Sequence, residues 1–238
     1  MDTPDRPPDG PPGEPSAPVP GPPPPSQTSP TTALTPSATV AVPDPSGPPS
    51  PIYPANLEIA YPAELNRWLP LVKWLLVIPH FIALFFVGIG AFFVAIYAFF
   101  VVLFTGRWPR GAFDYLVGTL RWAFRVLAYF HLMIDPYPPF SLADDPDYPL
   151  RLNVAYPEHI ANWRPLVQWI LVIPYLWIAG ALYWLTGILS IIAFFTILFT
   201  KRIPREVFEL MVPGFRWELR GSAYHYFMAD RYPPFVWG

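Results

Sequence analysis

No cysteine occurs among the 238 residues, which excludes structural disulfides, thiolate zinc sites, iron–sulfur clusters and a cysteine nucleophile. Residues 1–52 hold no aromatic side chain and no continuous apolar stretch, so no cleavable secretory signal is expected there. No Asp, Glu, Lys or Arg interrupts Leu75 to Phe104 or Ile170 to Phe199. The formal net charge of -2 gives no general attraction to nucleic acid, and the basic residues sit beside the apolar runs instead of forming a separate arm. A nucleic-acid partner is therefore not expected.

What is present divides the chain in two. Residues 1–52 carry more than half of the 36 prolines, interleaved with Gly, Ser, Thr and Ala. With so little apolar surface and so many missing backbone donors, this segment is expected to be a disordered proline-rich tail of polyproline-II character. From residue 53 onward the chain is dense in Phe, Trp, Leu, Ile and Val. Each apolar run exceeds the roughly 20 residues that a helix needs to meet the hydrocarbon core of a bilayer. The expected fold class is an all-α integral membrane protein, placed in the cell membrane in a multi-pass arrangement.

Tyr61-Pro62 and Tyr156-Pro157 lie 95 positions apart, and the same offset aligns motif after motif without a gap. Trp68, Pro70-Leu71-Val72, Trp74 and Val77-Ile78-Pro79 fall on Trp163, Pro165-Leu166-Val167, Trp169 and Val172-Ile173-Pro174. Arg107, Pro109 and Arg110 meet Arg202, Pro204 and Arg205, while Arg121-Trp122 and Arg125 meet Arg216-Trp217 and Arg220. Asp135 with Tyr137-Pro138-Pro139-Phe140 meets Asp230 with Tyr232-Pro233-Pro234-Phe235. The chain is thus read as a tail over 1–52, a first membrane repeat over 53–147 and a second over 148–238. Both copies resemble a family of bacterial membrane proteins known as domain of unknown function 4389, on the strength of Trp68 to Trp74, Ile78-Pro79-His80, Leu103 to Arg107 and Asp135 to Phe140. The resemblance implies a membrane location and brings no catalytic residue with it. The second copy departs from the pattern at Gln168, opposite Lys73, and at Lys201, opposite Gly106.

Each unit opens on an extended lead-in between two Tyr-Pro pairs, with Leu57 and Ile59 or Leu152 and Val154 alternating along a short strand. The long apolar run that follows is either a helical hairpin, turning near Gly88 and Gly90 or near Thr186-Gly187, or one helix bent near Pro79 and Pro174. Next comes an amphipathic helix on which Asp114, Arg121 and Arg125 recur at spacings of seven and four, as do Glu209, Arg216 and Arg220. Placing these arginines at bilayer depth is costly, which favours a helix at headgroup level with Trp122 and Trp217 at the interface; the alternative is a return span. If the run is a hairpin, every flanking basic residue lies on one face, which the positive-inside rule makes cytoplasmic.

Arg121 with Arg125 and Arg216 with Arg220 are one helical turn apart, so each pair can reach a single anion, such as a phospholipid headgroup, or pair internally with Asp114 or Glu209. Arg107, Arg110, Arg202 and Arg205 mark basic turns flanking the membrane. Asp135 and Asp230 end each copy, and with no second titratable group at fixed spacing they read as helix stops, with Phe140 and Phe235 as surface anchors. The four histidines form no metal-ligand spacing, and neither a metal nor a cofactor is expected. The run Pro22 to Pro25 could present a polyproline helix to a partner protein.

With no convergent catalytic set, the expected role is a non-enzymatic scaffold or accessory subunit that engages the lipid bilayer, including anionic phospholipid, and partner proteins. A small transporter or channel with two pseudo-symmetric halves is the alternative, although the apolar runs hold no carboxylate or Lys to line a path. A membrane-surface enzyme acting on lipid is the third reading.

Overall fold

A computed structural model describes residues 53–237, so the proline-rich segment of residues 1–52 lies outside the described residues. The described chain is mostly helical, in the order β1 (Ala55–Ile59), α1 (Leu69–Leu76), α2 (Ile78–Thr105), α3 (Arg110–Phe130), β2 (Leu150–Val154), α4 (Arg164–Leu171), α5 (Ile173–Thr200) and α6 (Arg205–His225). The 95-residue offset reappears as structure, because each element of the first copy has its counterpart in the second.

The hairpin reading of the apolar run is overturned. Gly88, Gly90, Thr186 and Gly187 sit inside uninterrupted 28-residue helices. The break falls earlier, at Val77 and Val172, the single residues separating α1 from α2 and α4 from α5. Pro79 and Pro174 cause it, since each removes the amide that would bond back across the junction; Val77 N still donates to Lys73 O at 3.0 Å and Phe81 N to Val77 O at 2.9 Å. Glycine inside a helix weakens it by only about 1 kcal/mol, too little to break a helix this apolar. α2 stops where Gly106 turns left-handed at φ 68°, and α5 stops the same way at Lys201, φ 59°. Among the described residues two helical stretches are long and apolar enough to cross a membrane, Leu69–Thr105 and Ile173–Thr200.

The lead-ins form the strands expected of them, and they pair with each other in a two-stranded antiparallel sheet. Leu57 stands opposite Leu152, its own repeat equivalent, with Ala55 opposite Val154 and Ile59 opposite Leu150. An antiparallel pair in this register has a local two-fold axis perpendicular to the sheet between Leu57 and Leu152, and the same axis relates the two copies. Leu57, Leu150, Leu152 and Val154 face inward, whereas Asn56, Glu58, Arg151 and Asn153 are exposed on the other side.

Each lead-in serves the opposite copy. Tyr61 donates its hydroxyl to Ile203 O at 2.6 Å and Leu65 N donates to Lys201 O at 2.9 Å. In mirror fashion Tyr156 donates to Trp108 O, and Ile160 N to Gly106 O at 2.8 Å. α3 runs antiparallel to α2, with Tyr115 reaching Val87 O and Trp122 reaching His80. It also runs antiparallel to α6, because Trp108, just before α3, donates to Phe227 O, just after α6, at 2.9 Å. α3 and α6 are interior elements, and Trp122 and Trp217 are only 5% exposed, so both rings pack inside the protein.

Candidate functional site

One arginine of each pair braces the sheet. Arg121 Nη1 donates to Leu142 O at 3.1 Å, its Nη2 approaches Leu152 O at 3.5 Å, and its Nε lies 3.2 Å from the Asp144 carboxylate. Arg125 is fully buried, donates to Ala143 O at 3.2 Å, and lies over the Tyr148 ring. Burial and the neighbouring Arg121 pull its guanidinium below the ordinary arginine value. In the second copy Arg216 Nε donates to Leu57 O at 3.1 Å and Arg220 Nη1 to Val236 O at 3.4 Å. Each strand is therefore held at its central residue by an arginine of the other copy. Asp114 and Glu209, the partners available from sequence, instead take Arg110 at 3.4 Å and Arg205 at 2.8 Å on the exposed surface.

Asp135 is not a helix stop; α3 ends at Phe130, and the chain reverses through Leu132 at φ 65°. The Asp135 carboxylate clamps the entry to α1, accepting from Lys73 Nζ at 2.7 Å and from Asn66 N at 2.6 Å. Lys73 is 1% exposed and also donates to Ile134 O at 2.6 Å. Gln168 does that second job alone, donating to Ala229 O at 2.9 Å, and Asp230 is left exposed. Phe140 keeps more than half of its surface exposed, and with Tyr137 and Trp122 it also encloses His80, stacked 3.9 Å from it. Tyr232, Phe235 and Trp217 enclose Tyr175 in the same way.

One polar cluster escaped the sequence reading. His131, just past α3, meets Ser190 Oγ and Tyr183 OH on α5, each at 2.9 Å. Burial lowers its pKa from 6.5 to about 4, so the ring is neutral at physiological pH. The cluster lies along a groove of about 450 Å³ between α1, the end of α3 and α5, reached by Lys73, Trp74 and Phe194. A matching groove of about 430 Å³, lined by Trp169, Tyr226 and Phe100, lies between α4, the end of α6 and α2. The only sequence signal was the exchange of His131 for Tyr226, which by itself names no partner.

The largest exposed feature is apolar. On α2 only a narrow seam through His80, Ala91, Ala98 and Val102 is buried. Outside it Phe85, Phe86, Phe92 and Phe93 stand open, ending at Phe104, which is 77% exposed; α5 does the same through Trp177, Trp184 and Phe199. An apolar surface of this extent on a helix is far beyond the scattered exposure normal for a soluble protein. The exposed turns at its ends carry Arg107 and Arg110 in one copy and Lys201, Arg202 and Arg205 in the other, with Arg202 3.6 Å from Glu64. Among the described residues no group of three or more His, Asp or Glu is placed to hold a metal ion.

Fold and surface together define a helical tandem-repeat protein with an internal two-fold, a polar sheet braced by arginines and two exposed apolar helices. The chain belongs to the family described as Domain of unknown function (DUF4389), whose model matches residues 68–141 and again 162–236. No curated protein and no solved structure matches the chain.

Proposed function

We propose that this protein is a non-enzymatic scaffold or accessory subunit seated in the cell membrane. The observation that carries the reading is the unbroken exposed apolar face of α1–α2 and α4–α5, bordered by basic turns. Water does not favour such a surface, whereas lipid does: each exposed Phe or Leu moved into hydrocarbon gains about 1.5–3 kcal/mol. The exposed arginines at the helix ends suit an anionic phospholipid surface. The paired arginines and the Lys73–Asp135 pair singled out by the repeat are engaged in holding backbone in place. The polar sheet and the proline-rich segment of residues 1–52 are left to engage partner proteins.

Fractionation of cells expressing the full chain tests the membrane seat. The protein should stay with membranes through high-salt and carbonate washes, and its release by either would refute the seat. A hydrolase or transferase activity of the purified protein that one side-chain change abolishes would end the non-enzymatic reading.

A further inference from the structure

Resting on that membrane seat, we infer that the long helices do not cross the bilayer, as a multi-pass arrangement requires, but lie flat within one leaflet. The internal two-fold axis then stands along the membrane normal, and the β1–β2 sheet faces water.

Geometry narrows the choice to two placements. The axis is perpendicular to the sheet, and α3 and α6 run antiparallel across it, as the Trp108 to Phe227 bond requires. α2 is antiparallel to α3, so α2 and α5 also point in opposite directions. If α2 and α5 crossed a membrane they would do so as an inverted pair, with the axis at the midplane. If instead the axis lies along the normal, both helices run parallel to the membrane surface.

Three observations favour the second placement. In the inverted pair the sheet, which sits on the axis, would present exposed Asn56, Glu58, Arg151 and Asn153 to the middle of the hydrocarbon, where polar and charged groups are excluded. The exposed apolar face from Leu71 to Phe104 is about 50 Å long, against a hydrocarbon thickness of about 30 Å, so a span would leave several phenylalanines in water. A helix about 10–12 Å across lying flat fits within one leaflet along its whole length. Finally, the basic turns Arg107–Arg110 and Arg202–Arg205 are mates under the two-fold: an inverted pair puts them on opposite faces, while the flat seat brings both to one set of headgroups. The positive-inside preference makes that leaflet the cytoplasmic one.

The cysteine-free sequence allows a direct depth measurement. Full-length variants Ile82→Cys, Ile89→Cys, Ile96→Cys, Asn56→Cys and Asn153→Cys would carry a nitroxide label in vesicles of phosphatidylethanolamine and phosphatidylglycerol. Collision with oxygen and with a water-soluble nickel chelate gives the depth of each label. A flat seat gives the three α2 labels a common depth and leaves both sheet labels in water. A crossing helix would separate Ile82 and Ile96 by about 20 Å in depth, and that result overturns the flat seat while leaving the membrane seat standing. Labels on α2 that all read as aqueous, with no protein floating with the vesicles, would overturn both.

Discussion

The two copies share a backbone and differ in how they fill it. In the first, the entry to the long helix is fixed by the buried Lys73–Asp135 pair, the aromatic enclosure holds His80, and α2 ends on a glycine. In the second, Gln168, Tyr175 and Lys201 occupy the same places, and α6 approaches α5 closely through Gly214 and Gly221. Common to both are the tyrosine hydroxyls and arginines that reach backbone carbonyls of the opposite copy. The difference teaches that the pairing between copies defines this fold, while the interior of each copy tolerates a change of chemistry.

Exchanging residues between the copies breaks or sharpens that comparison. The largest effect is expected at Gly214, where an added Cβ would meet Thr186 Oγ1 and lie 2.9 Å from Leu182 O. Gly214→Val should cost at least about 3 kcal/mol, whereas Thr119→Val, at the matching place in the first copy, should change stability little; denaturation in detergent followed by circular dichroism checks both. A smaller loss should appear on acidification. His131 is neutral and buried, so the unfolded chain takes up its proton first: stability is complete above pH 6.5 and falls as the pH drops through about 4, by up to roughly 3 kcal/mol in all. His131→Tyr, which installs the second copy's residue, should flatten that pH dependence.

Lys73→Leu should cost about 2 kcal/mol, because the Ile134 carbonyl and Asp135 lose their donor, although Asp135 is partly open to water. Lys73→Gln should recover most of that loss, as Gln168 does in the second copy; equal loss in both variants would refute the equivalence. Last, Lys201 holds a left-handed conformation at φ 59°, and Lys201→Gly should stabilise the protein by up to about 1 kcal/mol in the same assay.

Much of this organisation was legible in the sequence, and the rest was hidden for identifiable reasons. The repeat was visible because polar punctuation such as Arg121-Trp122 and Tyr137-Pro138 recurs at a fixed offset, and the strands because prolines bracket alternating apolar residues. The path of the apolar run was misjudged in its hairpin version, since Gly88 and Gly90 resemble a turn only if bilayer thickness is assumed to limit the helix. The arginine brace was invisible because its acceptors are mostly main-chain carbonyls at Leu57, Leu142, Ala143 and Leu152, which leave no mark in the sequence. Lys73 and Asp135 both stand out in the repeat, yet their spacing carries no sign that the turn after α3 brings them together.

The exchange of strands between copies bears on how such a chain could arise. One copy alone carries a strand with no partner and an arginine helix with no strand to hold, so it is incomplete as a monomer. Two identical single copies could complete each other through the same contacts, in the isologous manner of a homodimer. The tandem chain therefore has the form of a homodimer joined end to end, the segment between α3 and β2 supplying the connection.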